Sequence, residues 1–243
     1  MPKKFIAIDN YILPDPSLPT VRVFTVSTEG VDLDEALETY TEFISSQRMK
    51  KIIRLAHMSD KKLSFCSELA LCFALGSFSL PFYPPRYEYD EWGKPYLSEC
   101  EGVYINISHS GTMAACVISN VPVSVDVLEK DYYIASYFQR KVVTQNDKQP
   151  SDKHELLSLW TKKESYVKLT GKGLRTSMLS FSVSGDKAIS HIGGKEAFIN
   201  SVEFDGYFIS IASYEKVNAE YLMFSKEDFP LLREKAAKQR ENP

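Results

Sequence analysis

"SDKHELLSLWTKKESYVKLTGKGL", residues 151–174, reads as one long helix with both ends marked. Asp152 followed by Glu155 has capping-box spacing, in which a short acceptor and an acid three residues on satisfy free N–H groups at a helix start. Gly171 and Gly173 supply the backbone freedom on which helices end. Trp160, Glu164 and Lys168 recur every four residues and therefore share one face. A second stretch, "SDKKLSFCSELALCFALGSFSL" (59–80), opens with the same Ser-Asp-Lys triplet, so Ser59-Asp60 offers N-cap chemistry before a mostly apolar helix. Each long helix follows a strand and a shorter helix, and further strands come after it. This echo predicts an α+β chain of two similar halves packed as a pseudo-dimer. They are expected over residues 1–118 and 119–225, meeting near Ser119–Asn120, with a polar, frayed tail at 226–243.

The remaining elements follow from period and punctuation. "PTVRVFTVSTEG" (19–30) alternates as a strand, and "DLDEALETYTEFISSQRMKKIIRLA" (32–56) has helical spacing with a basic group at Arg48, Lys50, Lys51 and Arg54. "PFYPPRYEYDEWGKPYL" (81–97) is a loop with a turn at Gly93-Lys94-Pro95. A strand at Val103–Ile107 precedes a Ser-His-Ser turn at 108–110. "MAACVIS" (113–119) and "VPVSVDV" (121–127) read as a strand pair. "KDYYIASYFQRKVV" (130–143) reads as a helix and "TQNDKQPSDKH" (144–154) as a loop. Strands at "FSVSG" (181–185), "KEAFINSVEFDG" (195–206) and "YFISIASY" (207–214) complete the set.

Composition narrows the class. With 44% hydrophobic and 25% charged residues the chain can bury a real core, and a net charge of −3 gives no global basic field for nucleic acid. The four cysteines, Cys66, Cys72, Cys100 and Cys116, form no metal-type pair, and Cys66 and Cys72 fall in an apolar helix. Reduced thiols and a cytoplasmic protein are expected. The apolar run in "MPKKFIAIDNYILPDP" is too short for a signal peptide, and no run is long enough to span a membrane. Walker, Rossmann, H-E-x-x-H and G-x-S-x-G patterns are missing.

Several groups could carry chemistry. Glu164 and Lys168 form either an ordinary helix pair, worth ~0.2–0.5 kcal/mol, or a hard metal ligand beside a phosphate-binding cation. Asp126, between valines, is either an exposed strand end or a carboxylate aimed at a cation, since an uncompensated buried charge is very costly. Asp126 and Glu164 would suffice for Mg²⁺, which takes one or two carboxylates plus substrate phosphates. His109 is either a turn histidine bonded to backbone or a charged phosphate donor. Lys94 is either a solvated loop lysine or a further phosphate contact.

The order "GKPYL", "NISHSG", "VSVDV", "LWTKKESYVKLTGKGL" resembles the 4′-phosphopantetheinyl transferases of the Sfp type. The likeness runs over most of residues 40–175. That family implies two similar α+β halves with coenzyme A between them, Mg²⁺ on the pyrophosphate, and an apo acyl or peptidyl carrier protein as partner. The phosphopantetheine arm goes to a carrier serine and adenosine 3′,5′-bisphosphate leaves. On this resemblance Asp126 and Glu164 are metal ligands. Lys168 contacts the phosphates, and Ser108, His109 and Lys94 hold coenzyme A. Arg48, Lys51 and Lys62 fall where basic groups hold the 3′-phosphate. Glu164, or Asp147 in the loop, accepts the serine proton. The chain would act as a monomer.

Three positions depart from the family pattern. Leu128 stands where a second acid is expected, with Glu129 one step later and turned away by strand alternation. Ser124 replaces a glycine, and Leu63 replaces an arginine, with Lys62 beside it. The alternative to an active transferase is a relative that holds coenzyme A or a carrier protein without turnover. An unrelated Mg²⁺ phosphohydrolase would explain the paired acids but neither "SHSG" nor "GKP".

Overall fold

The computed structural model describes residues 3–5, 17–135 and 137–241, so most of the N-terminal run lies outside it. Two five-stranded sheets form the frame. The first has the order β1 (Lys3–Phe5), β12 (Asn218–Phe224), β2 (Thr20–Ser27), β6 (Met113–Ser119), β5 (Tyr104–Ser110). The second has the order β7 (Val123–Glu129), β11 (Tyr207–Ser213), β10 (Ala197–Phe204), β9 (Lys187–Ser190), β8 (Phe181–Ser184). A small hairpin of β3 (Glu88–Tyr89) and β4 (Pro95–Tyr96) stands apart, and the arrangement is α+β as expected.

Each large sheet carries one long helix. α3 (Met58–Ser77) lies on β2, β5 and β6, and α5 (Lys153–Thr170) lies on β7, β10 and β11. α3 is covered on all sides: every residue from Leu63 to Leu75 is buried, because α1 (Leu33–Tyr40), α2 (Ser46–Arg54) and the C-terminal helix α6 (Pro230–Glu241) close over it. The opposite faces of the two sheets meet. Val21, Val23, Met113, Ala115 and Val117 of the first pack with Val123, Val125, Val127, Ile209 and Ile211 of the second. Period-2 alternation builds this directly, since the valines of β7 face the first sheet while Ser124, Asp126 and Leu128 face α5.

Several sequence expectations are corrected. β6 and β7 do not pair: β6 pairs with β2 and β5, β7 pairs with β11, and Asn120-Val121-Pro122 carries the chain from one sheet to the other. Ser108-His109-Ser110 is not a turn but the end of β5, and the turn comes at Gly111 and Thr112. The segment 32–56 splits, because Phe43 is buried, Ile44 is extended and Ser45 caps α2 through the Arg48 N–H. Among the described residues of 130–143 only α4 (Gln139–Val142) is helical, and Tyr132 and Phe138 pack their rings edge-on to Trp160 instead. α3 begins one residue before Ser59, with His57 at the cap position.

The C-terminal boundary also moves. β12 runs parallel to β2 and pairs with β1, and Phe229, Leu232 and Ala236 are buried against the first half. Residues 218–241 therefore complete the N-terminal half rather than closing the second half and fraying. The cause is the buried apolar face of α6, which a charge-rich sequence conceals.

Candidate active site

The site is built where the outer edge of the first sheet meets the outer edge of the second. β5 and β7 lie side by side without a backbone ladder. Instead the Val125, Val127 and Glu129 N–H groups donate to Asn106 Oδ1 (3.1 Å), Ser108 Oγ (3.3 Å) and Ser110 Oγ (3.1 Å). Alternate side chains of one strand thus satisfy alternate amides of the other, which an exposed edge would leave unpaired. Gly111 follows with φ +54°, and a Cβ there would lie 2.7 Å from Tyr207 Oη and 2.8 Å from Glu129 Oε1. Only glycine fits that turn.

Asp126 sits on the α5 side of this seam and is 8% exposed. Its Oδ1 accepts from Lys168 Nζ at 2.7 Å and from Ser108 Oγ at 3.0 Å. Lys168 Nζ also donates to Ser108 Oγ (2.7 Å) and to the Val125 carbonyl (3.2 Å). One turn earlier on α5, Glu164 Oε1 accepts the Trp160 indole N–H at 3.1 Å. Burial raises the Glu164 carboxyl above its ordinary value; the indole and Lys168 pull it down, and the nearby Asp126 charge pushes it up. Trp160, Glu164 and Lys168 share a face as the spacing predicted, and the indole holds the acid.

Basic groups cluster near Lys168 and His109. His109, on the α3 side of β5, is held below the usual histidine range by partial burial and by Lys51, Lys168 and Arg48. Lys51 is depressed by burial and by Arg48, and Lys94 by burial. Lys94 Nζ reaches the Lys168 carbonyl at 3.4 Å, tying the β3–β4 hairpin to α5. Trp92 of the same hairpin lies under the Arg175 guanidinium. Clustered cations with depressed pKa values at an interface mark a place prepared for a polyanion.

Not every expected residue joins them. Asp147 is buried, and its carboxylate accepts from the Thr144 and Val183 N–H groups, the Thr144 hydroxyl and Lys163 Nζ. Burial pushes its pKa up, but these bonds outweigh it and hold the carboxyl below its ordinary value. Lys163, unread in the sequence, is fully buried and also donates to the Val142, Met178 and Phe181 carbonyls. Arg48 is 5% exposed and donates from Nε to the buried Glu68 at 2.8 Å. Lys62 is half-buried on α3 and makes no hydrogen bond to the cluster. Ser108 is buried among protein groups rather than open to a ligand.

The donor chemistry suits a hard cation. Asp126 and Glu164 each keep one oxygen outside the bonds described, with no thiolate or imidazole between them. Two carboxylates suit Mg²⁺, which readily completes its shell with phosphate and water. Among the described residues no three His, Cys, Asp or Glu gather into a ligand set, so an all-protein cage is missing. Leu128, in the place of a further acid, packs with Leu157 and Phe208, and Trp160 lies against them. The register of β7 stays regular through the pair Glu129–Tyr207, so Glu129 faces away from Asp126.

Comparison with known proteins points to one family. The chain is 28% identical over 167 residues to the 4′-phosphopantetheinyl transferase Sfp of Bacillus subtilis (strain 168), covering 63% of this chain and 74% of that protein. It is 28% identical over 182 residues to the 4′-phosphopantetheinyl transferase gsp of Aneurinibacillus migulanus, covering 70% and 76%. The chain is similar to the Sfp-type 4′-phosphopantetheinyl transferases. A third similar protein, the 4′-phosphopantetheinyl transferase psf-1 of Bacillus pumilus, is 25% identical over 172 residues, 67% of this chain and 74% of that one. No family model matches the chain. This chain places its acid pair and lysine at a seam between two sheets of one polypeptide. Among the described residues no helix is long and apolar enough to cross a membrane.

Proposed function

We propose that this chain is a 4′-phosphopantetheinyl transferase that moves the phosphopantetheine arm of coenzyme A onto a serine hydroxyl of an apo acyl or peptidyl carrier protein. The observation that carries the reading is the convergence of Asp126, Glu164 and Lys168 at a seam ringed by Lys51, Lys94 and His109. A pyrophosphate needs such a surface, because its charge must be matched before a nucleophile can approach.

In the proposed reaction the serine oxygen bonds to the β-phosphorus of coenzyme A and the bond from that phosphorus to the bridging oxygen breaks. Adenosine 3′,5′-bisphosphate leaves with the electron pair. Lys168 would balance charge building on the phosphoryl oxygens, which is the main work in phosphoryl-type transfer. Glu164, on the face of α5 that meets the seam, would accept the serine proton through a bridging water. His109, Lys94 and Lys51 would hold the non-reacting phosphates. Mg²⁺, held by Asp126 and Glu164, supplies charge neutralisation on the pyrophosphate when bound. One chain provides both sides of the seam, which supports a monomer, and four free thiols suit the cytoplasm.

The alternative, a binder without turnover, rests on Leu128; the retained acids and lysine weigh against it. Mass spectrometry of an apo carrier incubated with this protein, coenzyme A and Mg²⁺ tests the reading. Gain of the phosphopantetheine mass, lost in a folded Glu164→Gln variant, is expected. An unmodified carrier with the wild-type protein, across acyl and peptidyl carriers, would overturn it.

A further inference from the structure

We propose that Ser108 is a positioning residue that orients the Asp126 carboxylate and the Lys168 ammonium from the opposite half of the molecule, rather than a contact to coenzyme A. The inference rests on the transferase reading and deepens it. Ser108 is one of three β5 side chains that accept β7 amides, and it alone also bonds to the reacting groups. Its oxygen has two lone pairs and one proton. The lone pairs take Lys168 Nζ at 2.7 Å and the Val127 N–H at 3.3 Å, and the proton goes to Asp126 Oδ1 at 3.0 Å. The hydroxyl is therefore saturated and 6% exposed, with nothing left for a phosphate.

This arrangement fixes Asp126 by one oxygen. Lys168 and Ser108 both bond to Oδ1, so the carboxylate cannot turn without breaking two bonds, and its other oxygen is presented to a cation. The strand direction matters too. His109, the next residue, faces the α3 side with Lys51, so one step along β5 separates the group that orients the acid from the group beside the cations. Partners one bond removed from a metal ligand typically contribute 10–100-fold to affinity or activity.

The test uses the full chain with Ser108→Ala and Ser108→Thr. Mn²⁺ uptake is titrated by electron paramagnetic resonance with and without coenzyme A, and kcat and the coenzyme A KM are read from carrier modification. The alanine variant is expected to bind Mn²⁺ about tenfold more weakly and to lose roughly 10–100-fold in kcat. Its coenzyme A KM should stay within about threefold, because no phosphate contact is removed. Threonine, which keeps the hydroxyl and suits a strand, should restore both. Equal Mn²⁺ uptake by alanine variant and wild type, including none by either, would overturn the proposal, as would a tenfold rise in coenzyme A KM with kcat unchanged. If the alanine variant does not fold, Ser108→Cys takes its place with the same expected order. The Mn²⁺ comparison does not require transfer, so a wild-type protein that modifies no carrier sinks the transferase reading while Ser108 is still decided.

Discussion

Lys168 Nζ lies 2.7 Å from Asp126 Oδ1, so the proposed phosphate-binding cation and the proposed metal ligand neutralise each other across the seam. A divalent ion approaching Asp126 must compete with that ammonium. Removing the cation should therefore strengthen ion binding while destroying transfer. Lys168→Met is expected to raise affinity for Mn²⁺ alone by roughly tenfold and to lower kcat at least about a hundredfold. Mn²⁺ titration without coenzyme A checks the first half; weaker uptake by the variant would contradict it.

His109 should make coenzyme A binding depend on pH. Its pKa is held down in the free protein by partial burial and by cations that a phosphate would screen. An anionic ligand raises it, so binding takes up a proton and tightens as pH falls through the ordinary range near 6.5. His109→Ala should weaken binding most at about pH 6 and least at about pH 8, where the imidazole is neutral in either state. Calorimetry of both proteins at the two values decides; a gap that widens with rising pH would be the wrong sign.

Lys163 is predicted to hold the fold rather than to perform chemistry. Lys163→Met would strand the buried Asp147 carboxylate and three backbone carbonyls. Removing one partner of a buried pair costs about 3–5 kcal/mol. Urea denaturation should show this loss, whereas Lys172→Met, an exposed change on the same segment, should fall within about 0.5 kcal/mol.

Leu128 marks a place where restoring the family acid should fail. The side chain is 6% exposed among Leu157, Phe208 and Trp160. Leu128→Glu would bury a carboxylate there at roughly 3–5 kcal/mol. The expected result is a lower melting temperature with no fall in the Mg²⁺ concentration needed for half-maximal transfer. A variant of unchanged stability and lower Mg²⁺ requirement would show that the glutamate reaches the metal.

The sequence carried the helices that bear the site because capping residues and four-residue spacing are local signals. It carried Asp126 because a charge among valines is conspicuous. It hid the seam. Asn106, Ser108 and Ser110 alternate in plain view, but the amides they satisfy lie nineteen residues on, in another sheet. Asp147 looked free in a polar loop because nothing local announces that Lys163 will be buried against it. Tyr132 and Phe138 suggested a helix by spacing, and the ring of Trp160 overrode that preference. The polar seam of side chains and the pair Lys163–Asp147 are long-range products of packing, which single-residue patterns do not encode.

The return of β12 has a consequence for how the protein is made. β1 pairs with β12, and β12 lies between β1 and β2. Among the described residues β1 pairs with β12, so a chain emerging from the ribosome completes that pairing only after residue 218 has been synthesised. The first half is discontinuous in the gene, interrupted by the whole of the second. Shortening the C-terminus at residue 217 would not trim an appendage; it would strip cover from α3 and expose Phe73 and Phe24, which stack on Phe224. Splitting the gene at Asn120 into two co-expressed fragments would likewise leave the N-terminal fragment dependent on its partner to fold.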